Sequence, residues 1–160
     1  MRHRKNQQVS TENLTIQLSH KIALVPTPEQ ITYFGKACGT ARFTWNWALA
    51  KWNSQFDAGL KPNSYKLKKA FNAIKYGEYP WLNEIHRDAH AEPFSNLGKA
   101  WSKFFKDVKE GKPAYAPVFK KKVKCRDSFY VANDKFHIDG TPARLFVPSP
   151  SVSIFCCHLL

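Results

Sequence analysis

Acidic side chains are scarce in this chain. It has 12 Asp plus Glu against 25 Lys plus Arg in 160 residues, which gives a net charge of +13. The few carboxylates are scattered along the sequence, whereas two-metal hydrolysis of a phosphodiester needs several carboxylates that converge on the ions. The composition therefore predicts a binding protein and not an enzyme of this type.

Long apolar runs are also missing from the sequence. No stretch of about 18 apolar residues occurs, and residues 1–13 offer no apolar segment after their positive charges. From these two absences we expect that the sequence contains no membrane span and no secretory signal. We therefore expect a cytoplasmic protein without a membrane partner.

Cysteine occurs four times, but without a spacing that binds metal. Cys38, Cys125, Cys156 and Cys157 form no CxxC pair, and no histidine follows at zinc-finger spacing. The adjacent Cys156 and Cys157 are poorly placed to chelate one ion together. The sequence predicts neither a metal site nor a cofactor.

Positive charge combined with aromatic rings is what the chain has in excess. Apolar residues make up 43%, which is enough for a packed core, so the charge indicates a polyanionic partner and not a disordered basic arm. The combination is densest at residues 111–130, where cations that neutralise phosphates alternate with rings that stack on bases. A solvated basic loop is the alternative. The cations are Lys112, Lys120, Lys121, Lys122, Lys124 and Arg126, and the rings are Tyr115, Phe119, Phe129 and Tyr130.

Residues 27–110 show the three-and-four apolar spacing of α-helices. The first helix has a start signal in Thr27 as N-cap and Gln30, whose side chain can return a hydrogen bond to the cap. The spacing then continues over about 28 residues and ends near Gly59. We predict one long amphipathic helix.

Two further helices are predicted after this one. Ser64 can cap the second, and residues 81–85 open a third that is interrupted or kinked at Pro93. Gly35 and Gly39 lie one turn apart in the first helix, where glycine is costly. They predict close packing of another helix.

Short runs with strand character lie on both sides of the helical region. They are residues 14–24, 128–133, 135–138 and 143–147, and turn residues separate the last three. Four such strands do not close a barrel comfortably, and the apolar tail at residues 148–160 leaves an open edge. Self-association through that edge is therefore possible.

Six short motifs follow one another between residues 14 and 147. They are PTPEQ at 26–30, CGTARFTWNWAL at 38–49, YPWL at 79–82, NLGKAWSKFF at 96–105, GKPAYAPVFKKK at 111–122 and DSFYVAN at 127–133. In this order they resemble the N-terminal part of the TnpB (OrfB) family of transposon-encoded RNA-guided DNA nucleases, which are relatives of the compact type V CRISPR effectors. Several motifs in order are more specific than any one of them.

The resemblance implies an α+β fold, in which a helical, helix-turn-helix-like recognition region is inserted into a β-barrel wedge region that is incomplete here. It also implies binding of a guide RNA and of the target DNA backbone without cleavage, because the family's RuvC-like nuclease and zinc ribbon follow this segment. The expected divisions are a basic polar tail at 1–13, a first wedge strand at 14–25, a recognition domain at 26–110, a basic linker with wedge strands at 111–147 and an atypical apolar tail at 148–160.

Two helix residues join the basic segment as candidate contacts. Arg42 suits a phosphate and Asn46 a base edge or phosphate, unless Asn46 bridges structural elements. Trp45 between them is expected in the core in preference to stacking on a base. The predicted nucleic-acid contacts are Arg42, Asn46, Lys112, Tyr115, Lys120, Lys121, Lys122, Lys124, Arg126 and Tyr130.

Other functions stay open at this point. One is an autonomous helix-turn-helix DNA-binding protein of transposase or regulator type, which would bind a palindromic site as a dimer. Another is a transposon remnant without a function. Two features depart from the family pattern, namely Pro93 inside a helix that the family usually runs unbroken, and the segment at 148–160.

Overall fold

The computed structural model describes residues 24–132 and the backbone of three short strands. The helices are α1 (Pro28–Asp57), α2 (Ser64–Glu78), a 3₁₀ helix (Pro80–Glu84) and α3 (Arg87–Lys109). The strands are β1 (His137–Asp139), β2 (Arg144–Pro148) and β3 (Ser153–Cys156), which form one antiparallel sheet in the order β1-β2-β3. None of the described helices has the length and apolar character of a membrane span.

Local signals set both ends of α1. Thr27 Oγ1 accepts a hydrogen bond from the backbone N–H of Gln30 (3.4 Å), and Gln30 Oε1 accepts one from the N–H of Thr27 (2.8 Å). At the other end Gly59 has a φ of 73°, and Leu60 N–H bonds to the carbonyl of Gln55 (2.9 Å). The predicted capping box and the predicted end near Gly59 are confirmed.

The second and third helices begin elsewhere than predicted. Asn63, and not Ser64, caps α2, because its Oδ1 accepts hydrogen bonds from two backbone N–H groups of the first turn. The residues predicted to open the third helix form the 3₁₀ helix, and α3 starts at Arg87 after His86. The helix α3 then passes through Pro93 without interruption, since its packing against α1 outweighs the one backbone bond that proline removes.

The central helix is α1. Every side chain from residue 37 to residue 49 is buried or half-buried, because α2, α3 and the irregular segment 117–132 pack around it. The stacked rings of Trp52 on α1 and Trp101 on α3, with centroids 5.3 Å apart, show how closely the two helices follow each other. The main core cluster comprises Trp45, Ala48, Leu49, Trp52, Leu67, Phe71, Leu82, Phe94 and Leu97.

The predicted fold class is wrong. Residues 24–132 contain helices and irregular segments but no strand, and the described residues show no β-barrel wedge around the bundle. Residues 128–132, predicted as part of a strand, are irregular because their backbone and rings bind side chains of α1 and α3. The three short strands beyond residue 132 make a small sheet, which is far from closing. The predicted strand at 14–24 lies outside the described residues except for Leu24, which is not in a strand.

The glycines of α1 do not mark a helix contact. A Cβ at Gly35 would meet nothing within 4 Å, and one at Gly39 would meet only the end of a flexible arginine at 3.9 Å. The close approach occurs at Gly98 on α3, where a Cβ would lie 2.6 Å from the hydroxyl of Ser64 on α2. The prediction of close packing at Gly35 and Gly39 is therefore wrong.

Candidate nucleic-acid interface

Residues 117–132, which we call the strap, cross the helical bundle along α1. The indole Nε1 of Trp45 donates a hydrogen bond to the carbonyl of Val118 (3.0 Å). At the far end, Asp88 Oδ2 on α3 accepts one from the backbone N–H of Ala132 (3.0 Å). Helix side chains thus hold the strap in place of a neighbouring strand.

Asn46 makes two of the attachments. Its Nδ2 donates to the carbonyl of Lys120 (2.9 Å), and its Oδ1 accepts from the N–H of the same residue (2.8 Å). One side-chain amide thereby satisfies both backbone groups of Lys120, which would otherwise need a strand or water. Asn46 has a bridging role, between α1 and the strap.

The Trp45 ring lies beneath the same part of the strap. It is buried, with 8% of its surface exposed, and it belongs to the main core cluster, so the expectation that Trp45 is a core residue is confirmed. The ammonium of Lys120 lies 4.4 Å from the ring centroid, within the range of a cation–π contact. Both residues therefore help to hold the strap.

Arg42 and Asp127 form an ion pair that fixes the middle of the strap. The arginine side chain is only 17% exposed, so its charge is largely used inside the protein. Cys38 lies one turn earlier on α1 and is half-buried; burial, and next the negative charge of Asp127, raise the pKa of its thiol. The thiol is thus held in its protonated, unreactive form.

Four cations of the strap point away from these attachments. Lys121, Lys122, Lys124 and Arg126 are exposed, and within residues 24–132 none of them has an acidic partner. Lys112, which precedes the strap, is paired with Glu110 (2.6 Å). The predicted cations of the segment therefore form two groups. Four are exposed without an acidic partner among the described residues, whereas Lys112 and Lys120 contact other side chains.

A tight turn separates the free cations. Val123 at its centre is 92% exposed and has a φ of 70°, a conformation that β-branched residues rarely adopt. The N–H groups of Lys124 and Cys125 both bond to the carbonyl of Lys121, at 3.2 and 3.1 Å. This turn spreads the lysines over the outer surface.

The aromatic residues of the segment divide in the same way. Phe129 packs on Phe34 of α1, with ring centroids 5.7 Å apart, whereas Tyr130 is 49% exposed. The two neighbours therefore differ in exposure, and neither is in a strand. Tyr115 is 85% exposed. Phe119 is 49% exposed as well, so three flat rings of the segment lie at the surface.

Sequence reasoning missed a second basic surface on α2. Tyr65, Lys66 and Lys69 are exposed, opposite the buried Leu67 and Phe71 of the same helix. Neither lysine has an ion-pair partner within the described helices and loops. The three-residue spacing of Lys66 and Lys69 on the polar side of the helix was the available signal.

Within the described residues, no three His, Cys, Asp or Glu side chains come close enough to hold one ion. Several carboxylates there are partners of cations, such as Glu84 with Lys36 at 2.9 Å. The tail cysteines at 156 and 157, considered above, fall among residues whose side chains are not described.

One comparison with known proteins gives a match. Residues 15–61 match the family model of the helix-turn-helix domain of OrfB proteins of the IS605 type, and α1 with the turn after it forms the described part of that match. No curated protein matches the chain. A helix-turn-helix domain of this transposase family suggests DNA binding. Residues 15–61 are thus similar to the helix-turn-helix domain of the OrfB (TnpB) family.

Proposed function

We propose that the chain binds nucleic acid across the outer face of the strap and contacts the backbones of a guide RNA and its DNA target without cleaving them. The observation that carries this proposal is the fixed position of Lys121, Lys122, Lys124 and Arg126, which are exposed and have no acidic partner among residues 24–132. A set of cations on a held backbone neutralises phosphates at little cost in conformational entropy.

Aromatic rings at the same surface support single-stranded nucleic acid as a ligand. Tyr130 and Tyr115 are both exposed, and flat rings stack on unpaired bases of any identity. Arg42 and Asn46 do not contact the nucleic acid in this arrangement, because their polar groups bind the strap. They contribute to binding by positioning the cations.

Salt dependence of binding tests this interface. Affinity for a fluorescent RNA strand and for a DNA duplex is measured by anisotropy over a range of salt concentrations, for the wild type and for Lys121→Ala/Lys122→Ala. The slope of log affinity against log salt should become shallower by about 0.9 for each lost duplex contact and by about 0.7 for each lost single-strand contact. Lys103→Ala is the matched control, because that lysine is paired with Asp107. Unchanged slopes in the double variant would assign the free lysines to solvent.

Binding without cleavage is a separate part of the proposal. It is supported by the use of carboxylates as structural partners, as in Asp127 with Arg42 and Asp88 with the strap backbone. Purified protein should leave DNA intact with any divalent cation, with or without guide RNA, and binding should survive EDTA. Metal-dependent nicking that persists through repurification and disappears on a single Asp or Glu substitution would contradict it.

A second candidate is an autonomous duplex DNA-binding protein that reads DNA through α2. The family match and the exposed Lys66 and Lys69 favour it, because α2 follows α1 across a short turn as a recognition helix does. This candidate predicts that Lys66→Ala/Lys69→Ala abolishes sequence-dependent duplex binding while Lys121→Ala/Lys122→Ala has little effect. It also predicts a dimer in light scattering; a cytoplasmic location suits both candidates.

A further inference from the structure

A small cavity lies where α1, α3 and the strap meet. Its volume is about 110 Å³, and polar side chains from two elements line it, among them Glu92 and Asn96 of α3 and Ser128 and Tyr130 of the strap. Pockets for drug-sized ligands start at about 300 Å³, so this one suits only a small flat fragment. The cavity lies under the surface that we propose for nucleic acid.

Pro93 gives this cavity a feature that an ordinary helix lacks. Proline has no N–H, so the carbonyl of Ala89, one turn earlier, does not receive its usual helical hydrogen bond. Both residues line the cavity and are buried. A buried carbonyl without its helical donor needs another donor, and a ligand in the cavity can provide one.

The side chains nearby define the chemistry of that ligand. Glu92 is a second acceptor; its contact with Lys99 is long (3.8 Å), and that lysine is 74% exposed, so the carboxylate is free to take another partner. Lys120 also lines the cavity, and its ammonium is already in contact with the Trp45 ring, 4.4 Å from the ring centre. The amide of Asn96 is exposed at the rim and can donate as well as accept.

We propose that the cavity receives the edge of one unpaired base in which an exocyclic amino group lies beside an acceptor nitrogen of the ring on the Watson–Crick edge, which is the case in adenine and cytosine but not in guanine. The amino group donates one hydrogen to Glu92 and the other to the Ala89 carbonyl, the neighbouring ring nitrogen accepts from Asn96, and Tyr130 lies beside the base plane. Uracil and thymine present a carbonyl where these bases present the amino group, and the carboxylate repels it. This inference rests on the proposed function and adds base preference to backbone binding.

Base preference is measured on the full chain with RNA homopolymers of about 12 nucleotides, which matches the site sizes of single-strand binders. The wild type should bind A and C homopolymers at least about five-fold more tightly than U at one fixed salt concentration. Glu92→Gln and Asn96→Ala should each bring the three affinities to within about two-fold of one another. If Glu92→Gln acted only by removing a negative charge, it would instead raise the affinities for all three homopolymers together.

Pro93→Ala tests the carbonyl directly, because alanine restores the N–H that bonds to it. The variant should lose base preference while circular dichroism shows that the helices are retained. Glu78→Gln is the control for charge, since Glu78 is exposed on α2 and does not line the cavity. Equal binding of all three homopolymers by the wild type, or a preference that survives all the cavity variants, would overturn the inference and leave backbone binding intact. Failure to bind any strand at low salt would overturn both.

Discussion

Replacing Asn46 by alanine should release the strap from α1. The variant loses both hydrogen bonds to the backbone of Lys120 and leaves that N–H and carbonyl without a protein partner. A typical intramolecular hydrogen bond contributes about 0.5 to 1.5 kcal/mol net, so the two together stabilise the attached strap by about 1 to 3 kcal/mol. The loss should appear as local opening of the strap and not as unfolding of the helical core, whose packing does not involve this amide.

Limited proteolysis measures that opening. Trypsin cleaves after the exposed Lys121 and Lys122 only when the strap leaves the bundle surface, and the rate then follows the population of the open form. A destabilisation of about 1 to 3 kcal/mol raises this population by about five- to 150-fold. Nucleic-acid affinity should fall as well, because the cations lose their fixed positions.

Asn53→Ala is the matched control for this experiment. Asn53 lies two turns further along α1 and is half-buried, and its side chain makes no hydrogen bond to another described residue. Its variant should be cleaved at the wild-type rate. If Asn46→Ala is also cleaved at that rate and binds RNA equally well, the strap is not held by Asn46 and the argument for a preformed cationic surface fails.

Trp45→Ala should lower the free energy of unfolding by about 3 to 5 kcal/mol in urea titrations, because it empties a core position; retained stability with lost RNA binding would instead make Trp45 a stacking residue. Gly35→Ala should stabilise α1 by up to about 1 kcal/mol, since the space is open, whereas Gly98→Ala should gain less or lose stability against Ser64; equal effects on the thermal midpoint would contradict this. Burial, and next Lys75, lower the pKa of His90 to about 4, below the value of about 6.5 expected when unfolded, so the native state keeps it neutral. Stability should therefore fall by about 3 kcal/mol as pH drops from about 6.5 to 4, and His90→Leu should remove that part of the pH dependence.

The two ends of α1 follow from local sequence. The capping box at Thr27 and the left-handed glycine at Gly59 act within a few residues, so they could be predicted without any tertiary information. The assignment of residues 128–132 to a strand failed because alternating polar and apolar residues do not show what their backbone will bind. Here the partner of Ala132 is Asp88, which is distant in sequence.

The candidate interface was predictable in composition but not in arrangement. The run from Lys120 to Arg126 indicates a polyanionic partner from sequence alone. Only the fold separates Lys120, held over an indole ring, from Lys121 and Lys122, which are exposed. The cavity beside Pro93 likewise requires three elements to meet, and no periodicity in one of them predicts the other two.

Sequence by itself determined the net charge, the extent and ends of α1 and its apolar face, because charge is additive and capping and helical periodicity act over one or two turns. Tertiary structure decided which cations are free and which side chains serve as attachments. Arg42 and Asn46 have the residue types of nucleic-acid contacts, yet their partners lie 85 and 74 residues away in the strap. Contacts at that separation depend on how the whole chain packs, and the segment that covers a polar helix flank is fixed only when the core has formed.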